Sequence, residues 1–325
     1  MDRSEILEFL GEDWHQVCIL MRDALHSDID LLASTNGDIL SNSGKMLRPI
    51  LSLLMAKACA GTISNDSRLY AAATELLHNA TLLHDDVADD SMERRGKPTV
   101  NATLGPQAAV LVGDFWLAKA VQMVLASVES RMEDIVHLFA KTLVDLAEGE
   151  MLQLQKASSA DTTEDDYYRI IYCKTASLFE AACLSAAASV NAPEEFRKAA
   201  GDYARAAGIA FQIKDDILDY AGNEELGKPV GIDLLEQKIT LPLLGALEGS
   251  DREAQIRGMV SSIHEHPEYC ALVRGFVADR SGVEYAAARL DDYIGQAVRA
   301  LDVLPDSRAK SYLVELVRFN AFRRV

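Results

Sequence analysis

Proline and glycine are scarce, at 8 and 19 of 325 residues. A turn-rich all-β design needs more of both, and the 49% hydrophobic share favours long helices. Basic residues are also outnumbered: 32 Lys and Arg stand against 50 Asp and Glu, a formal net charge of −18. General nucleic-acid binding rests on basic patches that neutralise phosphates, so this balance argues against it. Phosphate ligands remain open, provided that cations or metal ions are concentrated at one site. The five cysteines, Cys18, Cys59, Cys173, Cys183 and Cys270, contain no Cys-x-x-Cys pair and are odd in number. Reduced thiols in a cytoplasmic protein are the expectation. The opening stretch MDRSEILEFLGEDW has early acids and no long apolar core, unlike a signal peptide. The least polar uninterrupted stretch, AACLSAAASVNA at 181–192, falls short of the ~18–20 residues that span a bilayer.

What the chain does have is helical periodicity. It predicts helices over 3–25, 50–60, 67–84, 106–127, 131–156, 164–190 and 195–221, with three or four more running to Phe322. Loops are expected at 34–49, 91–105 and 222–238, where Gly, Pro and polar residues gather, and Pro49 suits a helix start. No strand of period two and no low-complexity linker stands out. The expectation is one all-α domain over 1–325.

Two acidic clusters share one template. LLHDDVADD begins its acids at Asp85 and QIKDDILDY at Asp215, each reading Asp-Asp-x-x-Asp near the end of a predicted helix. Residues i and i+4 share a helix face, so Asp85 pairs with Asp89 and Asp215 with Asp219. Each pair repels, by ~1 kcal/mol at ~4 Å in water and ~4 kcal/mol at an effective dielectric of ~20. The helix dipole adds to the penalty, and a divalent cation removes it. Mg²⁺ suits short carboxylates, because it takes one or two of them and fills its shell with water and substrate phosphates. Asp86 and Asp216, about 100° round the helix, are expected to orient ligands from behind. Basic residues stand beside these acids: Arg94 and Arg95, Lys45 and Arg48 in SGKMLRP, Lys174 in YCKTASLFEAA, Lys214, and Lys228 and Lys238. Cations repeated beside carboxylate motifs point to a diphosphate substrate.

These residues resemble a known family. LLHDDVADDSMERRGKPT and FQIKDDILDY are similar to the two aspartate-rich motifs of the trans-isoprenyl diphosphate synthases. SGKMLRP resembles that family's Gly-Gly-Lys-x-x-Arg-Pro loop, and GKPVGIDLLEQKITLPL its closing segment. AEGEMLQL and YCKTASLFEAA fit as well, and texture such as VGDFWLAKA resembles the long-chain, octaprenyl-like branch. Two positions depart: Ser43 replaces the first glycine of the loop, and Gln237 stands where the family usually has glycine.

The resemblance implies a helical bundle around a central cavity and a Mg²⁺-dependent head-to-tail condensation of isopentenyl diphosphate with an allylic diphosphate. It implies Asp85, Asp89, Asp215 and Asp219 at metal, and Arg94 on the allylic diphosphate. Lys45, Arg48, His78 and Arg95 would bind isopentenyl diphosphate. Lys174, Thr175 and Gln212 would sit near the developing cation, and Lys228 and Lys238 on the leaving diphosphate. A homodimer is implied, with at most transient membrane contact. Product length would be read by residues before Asp85, namely Leu77, Ala80 and Thr81. On the next helix Val112, Trp116, Lys119 and Met123 follow helical spacing, with Met123 a candidate floor.

The same residues admit readings from other classes. A shorter-chain farnesyl or geranylgeranyl synthase shares every motif. Glu75-Leu-Leu-His78 has di-iron bundle spacing but lacks a second copy; Asp134–His137 is the nearest approach. His84-Asp85 suits a His-Asp phosphohydrolase, which leaves the second motif unexplained. A class I terpene cyclase would lack the second Asp-Asp-x-x-Asp, and a non-catalytic synthase subunit would lack the aspartates.

Overall fold

In the computed structural model, which describes residues 3–127, 132–221 and 231–321, Gly11 breaks the expected first helix. Its φ of 52° is left-handed, so the stretch folds as α1 (Arg3–Leu10) and α2 (Glu12–Ala24). Helix α3 (Asp30–Ser41) occupies half of the stretch expected to be a loop at 34–49. Tertiary bonds override weak propensity there: buried Asn36 donates to the Leu25 carbonyl at 2.9 Å and accepts from the Trp116 indole at 2.8 Å.

Next come α4 (Leu47–Ala60) and α5 (Asn65–Ala88). Ser64 starts α5 with a reciprocal cap: its Oγ accepts from Ser67 N–H at 3.0 Å, and Ser67 Oγ accepts from Ser64 N–H at 3.0 Å. Such a cap is worth about 1 kcal/mol. The expected loop at 91–105 instead holds a hairpin and a short helix. Strands β1 (Glu93–Arg94) and β2 (Lys97–Pro98) pair antiparallel, with Arg94 opposite Lys97, and Thr99 caps α6 (Val100–Leu104). No other strand occurs among the described residues. Helix α7 (Pro106–Leu125) starts on proline, as expected.

Helix α8 (Met132–Ser159) follows. The expected helix at 164–190 is interrupted: a π-turn at Tyr172–Ala176 separates α9 (Glu164–Ile171) from α10 (Ser177–Ser189). Helix α11 (Glu194–Ala221) matches expectation. Within the remainder of the expected 222–238 loop lies α12 (Ile232–Leu235). Five helices then replace the three or four expected: α13 (Leu241–Leu247), α14 (Glu253–Ser261), α15 (Tyr269–Asp279), α16 (Gly282–Ala300) and α17 (Arg308–Ala321). Lys228 and Phe322 lie outside the described residues.

The chain divides into two units. The first takes Met1–Phe139, Ala181–Ala200 and Leu304–Leu313. Its centre is α5, packed on α2, α4 and α7, with Arg68 Nη2 of α5 2.7 Å from Asp13 Oδ1 of α2. The second takes Ala140–Glu180, Gly201–Val303 and Val314–Val325. Its core gathers Ile213 and Ile217 of α11, Leu241 and Leu243 of α13, and Val273 and Leu290 beyond.

Two helical stretches, Pro106–Leu125 and Glu164–Ser189, reach the length and mean hydropathy of a membrane span. Uninterrupted apolar runs in the chain are shorter, whereas these averages absorb scattered polar residues. In the second stretch 78% of the apolar window is buried within the protein, as in a core helix; in the first, 39% is.

Candidate active site

In the first unit the end of α5 sorts its aspartates by face. Asp85 is half-buried, and Asp89 is exposed at the C-cap, its N–H donating to the Asp85 carbonyl at 2.8 Å. Asp86 is buried on another face, where its Oδ1 accepts from Arg94 Nε at 2.8 Å. Burial pushes the Asp86 carboxyl up and Arg94 pulls it back. The hairpin therefore delivers Arg94 to the first motif.

The hairpin also delivers Arg95 to the SGKMLRP loop. Arg95 Nη1 donates to the Asn42 carbonyl at 2.9 Å, and its guanidinium covers Gly44, where an added Cβ would lie 2.4 Å from Nη1. Gly44 has φ 69°, so both its conformation and its missing side chain are used. Ser43 needs no such freedom: buried, it donates from Oγ to the Leu40 carbonyl at 2.6 Å and closes α3. Met46 takes a left-handed turn at φ 47° before α4, leaving Lys45 exposed and Arg48 half-buried with its Nε sealed from solvent. His78, about two turns before Asp85, is half-buried. Its pKa is pushed well down, first by burial and then by Arg48, Arg95 and Arg94, so the ring is neutral. Glu75, three residues earlier, is buried; its only sequence signal is the Glu-x-x-His spacing.

A cavity of about 490 Å³ opens along Asn79, Leu82 and Asp86 of α5, reaching Ile39, Arg94 and Arg95. None of Leu77, Ala80, Thr81 and Met123 lines it. This cavity is therefore not the expected chain tunnel. Leu77, Ala80 and Met123 are buried, and Thr81 is half-buried. Val112 and Trp116 are buried as well, and Lys119 Nζ lies over the Phe115 ring at 5.3 Å.

In the second unit Lys174 and Thr175 sit on the π-turn, where an extra residue per turn redirects side chains. Two glycines admit the turn: a Cβ at Gly149 would lie 2.7 Å from Cys173 Cβ, and one at Gly208 2.6 Å from Ala176 Cα. Lys174 Nζ pairs with Glu150 Oε1 at 2.6 Å. A hydrogen-bonded chain then runs to the second motif. Thr175 Oγ1 donates to Gln212 Oε1 at 2.9 Å, Gln212 Nε2 to Asp216 Oδ1 at 2.9 Å, and the Tyr167 hydroxyl to Asp216 Oδ2 at 2.6 Å. Tyr167 escaped the sequence reading, which had no signal for a contact 49 residues away. Burial pushes Asp216 up, and Asp233 adds to the shift; Asp233 is itself raised by burial and by Asp219.

Asp215 is half-buried. Asp219 accepts from the N–H groups of Ile232 at 3.1 Å and Asp233 at 3.2 Å, so its carboxylate anchors the start of α12. Lys238 pairs with Glu236, and its N–H donates to the Asp233 carbonyl at 2.7 Å. Gln237, at the family's glycine position, keeps the left-handed backbone at φ 59°.

Among the described residues no three His, Cys, Asp or Glu side chains converge on one metal position. The half-buried Asp85 with Asp89, and Asp215, suit an ion that takes one or two carboxylates and completes its shell with water and phosphate oxygens.

The sequence profile of the polyprenyl synthetase family matches residues 30–272. The chain is 38% identical over 322 residues to the all-trans-nonaprenyl-diphosphate synthase (geranyl-diphosphate specific) of Rhodobacter capsulatus, covering 97% of this chain and 96% of that one. It is 37% identical to the octaprenyl diphosphate synthase of Escherichia coli K12, covering 99% of both. A crystal structure of polyprenyl synthase from Caulobacter crescentus CB15, complexed with calcium and isoprenyl diphosphate, superposes with a TM-score of 0.90 at 32% identity, over 100% of this chain and 98% of that one. The all-α helical architecture and the motif residues agree with these matches, and the chain belongs to the polyprenyl synthetase family, the trans-isoprenyl diphosphate synthases.

Proposed function

We propose that this prenyltransferase makes a long polyprenyl diphosphate of octaprenyl-like length, with Mg²⁺, as a cytoplasmic homodimer of one synthase domain over 1–325. The family reaction condenses isopentenyl diphosphate with an allylic diphosphate. The allylic C–O bond breaks and its electron pair leaves with the diphosphate. The isopentenyl double bond then attacks the cation, and a proton is lost to restore a double bond. Mg²⁺ would be held by Asp85 and Asp89 in the first unit and by Asp215 in the second, and would supply positive charge to the departing diphosphate.

The chain's own residues do the rest. Arg94, oriented through its Nε by Asp86, binds the allylic diphosphate. Lys45, Arg48 and Arg95 bind isopentenyl diphosphate, and neutral His78 offers an N–H to a phosphate oxygen. Thr175 and Gln212, fixed through Asp216, face the cation with Lys174, while Lys238 and Lys228 take the leaving diphosphate. Asp219 contributes by holding α12 as well as by its charge.

The small side chains of Ala80 and Thr81, one turn before Asp85, carry the long-chain reading. The names of the two full-length relatives support it. A dimer is supported by the outward face of α7, where Leu111 is 61% and Leu125 52% exposed. The deciding experiment supplies labelled isopentenyl diphosphate, farnesyl diphosphate and Mg²⁺, then separates the products by chain length. A ladder ending near the octaprenyl product supports the reading, and one ending at farnesyl or geranylgeranyl overturns it. Sedimentation of the purified protein tests the dimer.

A further inference from the structure

The π-turn at Tyr172–Ala176 holds one residue more than an α-helical turn, and it carries Lys174 and Thr175. An extra residue can sit at any of several places along a helix. Each step of its position turns a side chain by about 100°. The place it takes here therefore decides where Lys174 and Thr175 point.

Two side-chain ties fix that place. At the end of the turn the Ser177 N–H reaches back five residues to the Tyr172 carbonyl. In an α-helix it would reach back four, to Cys173. The Cys173 carbonyl is met instead by the Ser177 hydroxyl, which donates to it at 2.7 Å. Both residues are buried, Ser177 at 2% and Cys173 at 6% exposure, and a carbonyl in such surroundings needs a donor. The residue whose backbone donor is displaced thus supplies its side chain in exchange. The second tie crosses the turn nearer the surface. The Tyr172 hydroxyl, from the first residue of the turn, donates to Glu180 Oε2 at 3.0 Å, and Arg205 Nη2 of α11 donates to Glu180 Oε1 at 2.8 Å.

Resting on the assignment of Lys174 and Thr175 to the developing cation, we propose that Ser177 and Tyr172 are positioning residues: their hydroxyls lock the register of the π-turn. In that register Thr175 meets Gln212 and Lys174 meets Glu150. Without the Ser177 hydroxyl the N–H at 177 is drawn back to the Cys173 carbonyl, the bond to Tyr172 is given up, and the turn moves. Thr175 then leaves Gln212. Ground-state binding of the diphosphates does not depend on the turn, so the loss falls on kcat.

The test measures kcat and both KM values on the full-length enzyme with Mg²⁺, for Ser177→Ala, Tyr172→Phe, Thr175→Val and the two doubles with Thr175→Val. Ser177→Ala lowers kcat on the order of tenfold, the weight of one buried carbonyl losing a donor, and Tyr172→Phe about threefold for its less buried bond. Both KM values stay within about twofold of wild type. On the Thr175→Val background both losses shrink to less than about twofold, because residues that act through Thr175 are coupled to it. Losses that simply multiply on that background, KM values that rise with the fall in kcat, or a kcat unchanged in both single variants overturn the inference. Should Ser177→Ala fail to fold, Tyr172→Phe, at a half-buried position, carries the same comparison. Thr175→Val alone separates this failure from that of the site. If it leaves kcat untouched, the role of Thr175 falls and those of Ser177 and Tyr172 fall with it. If it lowers kcat while the other losses multiply, only Ser177 and Tyr172 lose their roles.

Discussion

Arg94 Nε sits 2.8 Å from Asp86 Oδ1, so the middle acid of the first motif faces away from Asp85 and Asp89 and holds an arginine of the hairpin. The Asn101 side chain donates to the Asp86 carbonyl at 3.2 Å from the far side of the hairpin. One Asp-Asp-x-x-Asp stretch therefore does two jobs on two helix faces. Asp86→Ala is expected to raise the KM for the allylic diphosphate several-fold, with a smaller fall in kcat. Steady-state kinetics with each substrate varied in turn separates the two. An equal loss on both substrates would mean that the change is a general disturbance of α5.

Asp85 and Asp215 are half-buried at the ends of long helices whose cores are independent of them. Neither belongs to the buried core, so replacing either by Ala opens no cavity there. Both variants are expected to lose turnover by several orders of magnitude while unfolding within a few degrees of wild type. Product formation and circular dichroism melting, read side by side, check this. Near-normal condensation by either variant would remove the metal role assigned to it.

The aspartate motifs were legible because each lies on a helix with a long apolar periodicity, α5 and α11, and the 100° step alone separates Asp86 from Asp85. The π-turn was not legible. It exists because Gly149 and Gly208 let neighbouring helices close on Cys173 and Ala176, a fact of packing that local sequence does not carry. Helix α3 was misread as loop for a related reason: Ser34, Thr35 and Asn36 look like turn residues until the Asn36 side chain meets Trp116, 80 residues on. Tyr167 was hidden among ordinary core positions, and only its neighbours reveal it.

Gln237 keeps a left-handed backbone at φ 59° and donates from Nε2 to the Ser261 carbonyl at 2.6 Å. A non-glycine residue there costs about 1–2 kcal/mol, and the hydrogen bond returns about 0.5–1.5 kcal/mol. Gln237→Gly is therefore expected to leave the thermal midpoint nearly unchanged. Gln237→Val loses the bond and crowds a β-branched side chain into the same backbone, and its midpoint should fall by several degrees. Equal midpoints for Val and Gly would show that the backbone here is not constrained.

Asp216 and Asp233 are both raised by burial and by neighbouring acids. A carboxyl raised in the folded state adds stability that is fully present below its unfolded value near ~4 and is lost as pH climbs through the raised value. In chelator, the protein should melt at progressively lower temperature as pH rises from about 5 into the alkaline range. Asp216→Asn, which keeps the Tyr167 and Gln212 contacts in neutral form, should flatten that slope. A slope unchanged by the substitution would place the titration elsewhere.

Ala80 is buried on α5 and does not line the cavity at Asn79 and Leu82. A product that grows past Asp85 along this helix must pass a residue with only a methyl group. Phenylalanine there fills that passage, so Ala80→Phe is expected to shift the product ladder to shorter chains while initial condensation persists. Overpacking costs about 1–3 kcal/mol, and a melting curve taken on the same preparation shows that the fold survives. Met123→Ala, made on α7, asks the complementary question: if Met123 closes the passage, its removal lengthens the ladder. A ladder unmoved by both changes would show that the chain grows along a different wall.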